Sequence, residues 1–234
     1  MPSIDMYITD EYVANNPTYH TEDSLWKATQ ILKIIRRNEL HPDSVCEVGC
    51  GAGEVLRQIY LNMDERVQFI GYDISPSAFK LASKRQSKRL DFKLADFLLE
   101  EDSVHYSIVL AIDVIEHIEN LFDFLRVLKE RGEYKIFHVP LEMSAKSVIA
   151  TSQLKFRKKY GHIHYFSKET LFETLRDTGY EVVDYFYTKG FLELPTKKNL
   201  VQRIFNLLFK IGFKMNKDLT VRLLGGPSIM VLTK

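Results

Sequence analysis

Short runs that are apolar on both faces recur through the first part of the chain: VCEV at 45–48, VQFIGYD at 67–73, YSIVLAID at 106–113 and YKIFHVP at 134–140, with a shorter DFKLADF at 91–97. Helix-like patterns separate them. A strand that buries both faces belongs inside a parallel sheet covered by helices on two sides, because no face is left for water. The chain is therefore expected to fold as an α/β domain. A helix at 167–179, N-capped by Ser167 and ended by Gly179, and strands in YEVVDYFYT and GGPSIMVLTK continue the pattern.

The length of 234 residues suits one domain over 1–234. Its decorations are an N-terminal cap segment and helix over 1–40, an irregular basic stretch over 141–160, and an insertion over 190–224. In SLWKATQILKIIRRNEL, Leu25, Ala28, Ile31, Leu32 and Ile35 share one helical face. Net charge is +1, so no global field favours nucleic acid. The two cysteines, Cys46 and Cys50, are too close in an extended segment for a useful disulfide, which points to a reducing compartment. The start MPSIDMYITDEYV has no basic region followed by an apolar one, and no run reaches the ~18 apolar residues of a membrane span. A cytoplasmic protein is expected.

The stretch VCEVGCGAGEVL carries the first chemical signal. Glycines let a backbone approach a ligand closely at a strand-to-helix turn. A dinucleotide loop reads G-x-G-x-x-G and seats a pyrophosphate on the helix N-terminus. Here the third position is Glu54, whose carboxylate would repel that group. A phosphate-cradling loop needs G-K-[ST], which is absent. Charge and pattern together weaken both phosphate-binding readings.

EVGCGAG resembles the first motif of the class I S-adenosylmethionine-dependent methyltransferases, [DE]-x-G-x-G-x-G. The resemblance covers roughly residues 20–190 and the last strand, and it is to the broad branch that includes ubiquinone-type O-methyltransferases. It implies a Rossmann-like seven-stranded, mostly parallel sheet with an antiparallel last strand and helices on both faces. It implies S-adenosylmethionine held by Glu47, Gly49, Cys50, Gly51 and Gly53 of the loop and by Asp73, which ends the second strand, at the ribose hydroxyls. Ile74 and the pair Asp96 and Phe97 fall at the adenine, and Ile112 at the fourth-strand motif LAIDVIEHI. GHIHYFS matches a common later segment.

Two carboxylates and an imidazole within DVIEH, namely Asp113, Glu116 and His117, could hold a hard cation such as Mg²⁺. The pattern resembles the E-x-x-E-H of metal-binding members, including small-RNA 3′-end 2′-O-methyltransferases, with Asp in the first place. The competing reading is an orienting turn, with His117 beside the transferred methyl. A hydroxyl acceptor needs a base, for which His117 is the first candidate and His162 or His164 the second. His138, inside a strand, reads as a core or pocket-edge histidine.

Trp26, at the start of the N-terminal helix with Tyr19, His20 and Lys27 nearby, is expected to cover the methionine end of the cofactor or to serve as a plain anchor. In the insertion, Leu200, Ile204, Leu207, Leu208 and Ile211 share a face, and every charge in 197–214 is positive. Such a helix can lid the acceptor pocket, form a dimer surface, or lie on an anionic membrane. The expectation is O-methylation of a small molecule or a glycan, lipid-linked acceptors included. The rivals are Mg-assisted methylation of an RNA end, a cofactor-binding module without transfer activity, and a dinucleotide oxidoreductase.

Overall fold

The computed structural model describes residues 18–19, 21–101, 104–195 and 199–234. Most of the expected cap segment, including His20, lies outside them. Seven strands form one sheet: β1 (Ser44–Val48), β2 (Gln68–Asp73), β3 (Leu90–Leu94), β4 (Tyr106–Ile112), β5 (Gly132–Pro140), β6 (Val182–Thr188) and β7 (Ser228–Thr233). Their order is β3-β2-β1-β4-β5-β7-β6. The first five pair in parallel, and β7 runs antiparallel to both β5 and β6. The order reverses between β1 and β4, the place where open α/β sheets leave a crevice at the carboxyl ends of their strands.

Strand alternation divides the core between the two faces. On β4, Ile108, Leu110 and Ile112 face one layer, together with Ile31, Ile34, Leu56 and Ile59 from α1 (Ser24–Arg37) and α2 (Glu54–Tyr60). Val109 and Ala111 face the other layer, which receives Phe124 and Leu128 from α4 (Leu121–Glu130) and Leu171 and Leu175 from α7 (Lys168–Asp177). Ser167 caps α7 in a reciprocal capping box with Thr170. Gly179 takes the positive φ expected beyond the helix end. Both cysteines are buried and free.

Four features depart from the sequence reading. Leu25 is exposed rather than on the buried face of α1. The stretch SPSAFKLASKRQSKRL after β2, whose pattern reads as one helix, forms only α3 (Pro76–Ala82) and a 3-10 turn at Ser83–Arg85, where Arg85 reaches back to Glu54 at 2.6 Å and Ser87 bridges to Leu90. The basic stretch expected to be irregular forms two short helices, α5 (Ala145–Ile149) and α6 (Ser152–Tyr160). The 190–224 insertion carries three helices: α8 (Gly190–Glu193), α9 (Leu200–Met215) and α10 (Lys217–Leu224).

Gly53 begins α2 with φ +75°, and a Cβ there would lie 2.5 Å from the Phe92 ring of β3. It is a packing glycine that lets the helix close onto the sheet. Gly53→Ala is expected to destabilise the fold by roughly 2–4 kcal/mol, from overpacking plus a left-handed backbone. Thermal unfolding followed by circular dichroism checks this.

Candidate active site

The β1–α2 loop is built by two constraints. Gly49 and Cys50 donate their backbone N–H groups to the Tyr72 carbonyl at 2.8 and 3.0 Å, tying the loop to the end of β2. Gly49, at φ +70°, leaves no room for a side chain, since a Cβ would meet Val114 at 2.7 Å. At Gly51 a Cβ would meet little, its nearest neighbour being the Tyr19 ring at 3.8 Å. This part of the loop therefore opens into a cleft of about 400 Å³ over the carboxyl edge of β1, β2 and β4.

Around that cleft stand Glu47, Gly49, Cys50, Gly51, Asp73, Ile74, Asp96, Phe97 and Ile112. Their roles differ. Asp73 accepts from Gly51 N at 2.7 Å and from Ser75 N at 2.8 Å on different carboxylate oxygens, and from the backbone of Ile74. A carboxylate has about four acceptor sites, so capacity remains for a ligand hydroxyl. Burial raises its pKa against those backbone bonds. Ile74 is 39% exposed at the rim, an apolar platform of the kind a flat base needs. Asp96 caps the short turn after β3 through Leu98 N at 2.9 Å and remains exposed. Phe97 is a wall of the cleft sealed into the core, edge-on to Tyr72 at 5.2 Å. Cys50 is also mostly buried, its thiol turned toward Gly71.

Glu47 is a buried acid without a full set of partners. It is buried, and its Oε2 has no hydrogen-bond partner. Burial lifts its pKa to about 8, with Lys27 opposing and Asp73 adding to the shift. A buried acceptor without a donor is costly unless a ligand supplies one. An ammonium group would do so.

Two expected residues are elsewhere. Gly53 is at the back of the loop, against Phe92, and does not border the cleft. Trp26 turns away from the cofactor side. Its indole N–H donates to Glu193 at 2.9 Å, its ring is edge-on to His138 at 6.1 Å, and it packs on Gly190 of α8. The next residue, Lys27, lies one helical step round and borders the cleft instead. Its ammonium pairs with Asp113 at 2.9 Å and Asp23 at 3.2 Å. Burial opposes that charge, but the two carboxylates outweigh it and hold the pKa above the ordinary lysine value. The sequence did carry a signal. Lys27, Ile31 and Ile34 fall at helical spacing, so the lysine stands on a buried face.

Asp113 also leaves the expected metal set. It sits at φ +55° just after β4, which aims its carboxylate between Lys27 and His138 Nδ1, the latter at 2.7 Å. His138 Nε2 continues to Thr188 Oγ1 at 2.8 Å. Burial works against ionisation of Asp113, but His138 and Lys27 prevail and hold its pKa below the usual range. A second cluster forms without it. Glu116, His117 and His162 bring one donor atom each within 4.8 Å of one another. Both Glu116 oxygens are buried and lack a partner beyond the residue's own backbone, and burial, with Asp113 and Glu142 near, pushes its pKa well up. His162 is oriented by Glu142 at 2.8 Å, a contact the sequence reading missed. His117 meets the His162 ring edge-on at 4.7 Å and bonds the Gly161 carbonyl, and burial holds its pKa down to about 3. Of the three, His117 alone borders the cleft. His164 points elsewhere: its Nε2 donates to the Ile118 carbonyl at 2.8 Å, and it belongs to the scaffold.

A family model described as a methyltransferase domain matches residues 25–185. No curated protein matches the sequence. Among solved structures, the chain is similar to the putative methyltransferase of Haloferax volcanii found in complex with the Trm112 methyltransferase activator, at 15% identity and a TM-score of 0.65 over 99% of this chain and 95% of that one. It is similar to the plantazolicin methyltransferase BpumL solved in complex with SAH, at 15% identity and a TM-score of 0.62 over 100% and 91%. It is also similar to the methyltransferase domain of the bacterial CtHen1-CN, at 15% identity and a TM-score of 0.57 over 92% and 100%. At such identities the likeness is one of fold.

Glu47 must be ionised to hold an ammonium group, and below about pH 8 it is protonated in the empty cleft. Binding then expels a proton, so affinity rises with pH, by up to tenfold per unit, and levels off above that value. Titration calorimetry with S-adenosylhomocysteine across this range is expected to show that slope. Glu47→Gln is expected to flatten it and to weaken binding roughly 10–100-fold at the high-pH end.

Proposed function

The chain belongs to the class I S-adenosylmethionine-dependent methyltransferases, and from that premise we propose that it methylates an oxygen of a small-molecule or glycan acceptor. The observation that carries the cofactor side is the unpartnered Oε2 of buried Glu47 beneath the glycine loop. Glu47 would take the ammonium of the methionine end, Lys27 would face its carboxylate, Asp73 the ribose, and Ile74 the adenine. The cofactor supplies an electrophilic methyl group on a sulfonium. The protein's part is positioning, which is a large share of the rate for an in-line displacement.

Methylating a hydroxyl releases one proton, so a group near the acceptor must take it. His117 is the candidate, being neutral at any working pH and bordering the cleft. A base held that low accepts a proton more readily from an acidic hydroxyl than from an alkanol. Phenolic and carboxylic oxygens are therefore expected to react faster than sugar hydroxyls. His162, fixed by Glu142, braces the His117 ring from behind.

A second reading rests on the Glu116, His117 and His162 cluster as a cation site serving the end of an RNA. Its donors are one carboxylate and two imidazoles, a set that favours ions with nitrogen affinity over Mg²⁺, which prefers oxygen ligands. The third reading, a cofactor-binding module without transfer activity, needs the same cleft and a closed acceptor side.

S-adenosylhomocysteine release separates the readings, assayed on phenols, carboxylates, nucleotide sugars and short RNAs, with and without chelator. The expected result is turnover on a phenol, carboxylate or sugar that survives chelation. His117→Ala is expected to lower kcat by roughly 10²–10³-fold with cofactor affinity unchanged. Turnover on RNA alone, abolished by chelator, would favour the cation site. Tight cofactor binding without turnover on any class would favour the silent module.

A further inference from the structure

Helix α9 has two apolar faces, and only one is covered. Phe205, Phe209 and Phe213 recur every four residues and pack inward. Phe209 is edge-on to Phe191 at 5.0 Å and stacked with Phe213 at 5.4 Å, and Phe213 meets Tyr187 of β6 at 5.8 Å. Gly212 lets α10 close in, since a Cβ there would lie 2.8 Å from Thr220 Oγ1. This aromatic ladder fixes the helix on the carboxyl-end side of β6.

The opposite face is aliphatic. Leu200, Ile204, Leu207, Leu208, Ile211 and Met215 are each between 52% and 82% exposed. At 3.6 residues per turn they form one stripe pointing away from the phenylalanines. Arg203, Lys210 and Lys214, spaced seven and four apart, line one flank of that stripe. No acidic residue occurs between Glu193 and Asp218. A helix that is apolar all round is normally buried on all sides. Contiguous exposed apolar surface edged by charge marks a place where something docks.

The charge pattern chooses the occupant. A second copy of the chain laid along this stripe would bring like cations together with no carboxylate on the helix to meet them. A bilayer with anionic headgroups accepts both features at once, the aliphatic side chains in the acyl boundary and the cations at the phosphates. Among the described residues no helix is long and apolar enough to cross a membrane, so the contact would be a surface one.

We propose that the outer face of α9 docks this protein on the surface of an anionic lipid bilayer. The covered face of the same helix packs on β6, whose Thr188 holds His138, which in turn holds Asp113 at the cleft.

The test is co-sedimentation of the full chain with phosphatidylcholine vesicles, with and without phosphatidylglycerol. Binding is expected only when phosphatidylglycerol is present, and it should weaken as salt is added. The triple variant Arg203→Glu, Lys210→Glu, Lys214→Glu is expected to lose about a hundredfold or more in binding. The variant Ile204→Gln, Leu208→Gln, Ile211→Gln should lose binding as well. Both should keep the parent's melting temperature and its affinity for S-adenosylhomocysteine, because none of these residues touches the core or the cleft. Failure of the parent to bind, or equal binding to both vesicle types, would overturn the proposal. So would a concentration-dependent dimer in light scattering that the glutamine substitutions abolish, since a second copy would then cover the stripe.

Discussion

The ion pair between Lys27 and Asp113 is what turns a sheet with a helix beside it into a cleft with two sides. Lys27 comes from α1 and Asp113 from the end of β4, and the pair is extended through His138 on β5 to Thr188 on β6. Four elements are thus joined at the carboxyl edge by hydrogen-bonded charges. Buried ion pairs repay their desolvation only when further hydrogen bonds satisfy the remaining polar atoms. Here His138 supplies one to Asp113, and Asp23 adds a second carboxylate 3.2 Å from the Lys27 ammonium. The left-handed backbone of Asp113 is the local strain that makes the geometry possible, and aspartate is among the few residues that tolerate it.

That pair also sorts the acids at the strand ends. Asp113 is fully engaged and held ionised. Asp73 is partly engaged, bonded only to backbone N–H groups. Glu47 and Glu116 are buried with oxygens that lack partners, and burial raises both pKa values. The partly or wholly unpartnered acids are where ligand groups belong. Glu47 and Asp73 line the cleft, while Glu116 stands off it, beside His117. A cation there would find one carboxylate and two imidazoles already gathered. Without one, burial favours the neutral form of Glu116 and the cluster is a braced base. The two accounts differ only in what fills one small space.

The sheet was legible because the central strands β1, β4 and β5 bury both faces and helices separate the first five strands, so the apolar runs and the breaks between them leave few topologies. The cofactor loop was legible because glycine spacing and the acids Glu47 and Asp73 are local features of strand ends. What failed depends on rotation about a helix axis or on partners distant in sequence. Trp26 and Lys27 are neighbours in the chain yet stand on opposite sides of the cleft wall, a difference of one residue in helical phase. His162 and His164 alternate along one segment. Backbone bonds from Ile163 and His164 to the Glu116 carbonyl then anchor it, and the two rings part, one to Glu142 and the other to Ile118. Asp113 looked like a ligand because the motif is contiguous, but its real partners come from residues 27 and 138.

Helix α9 shows the same limit in the language of hydrophobicity. Its aliphatic residues share a face, and the sequence left that face open among a lid, a dimer surface and a membrane contact. The structure buries the phenylalanines, for a reason of shape. Flat rings at every fourth position interleave with Phe191 and Tyr187, while branched aliphatic side chains would leave voids against that aromatic wall. Periodicity identifies that a helix has an apolar stripe. It does not say whether the stripe faces the protein's own core or another apolar phase. Only when both stripes are seen together, one packed and the other edged by cations without a single acid, does the second become evidence about the outside of the molecule.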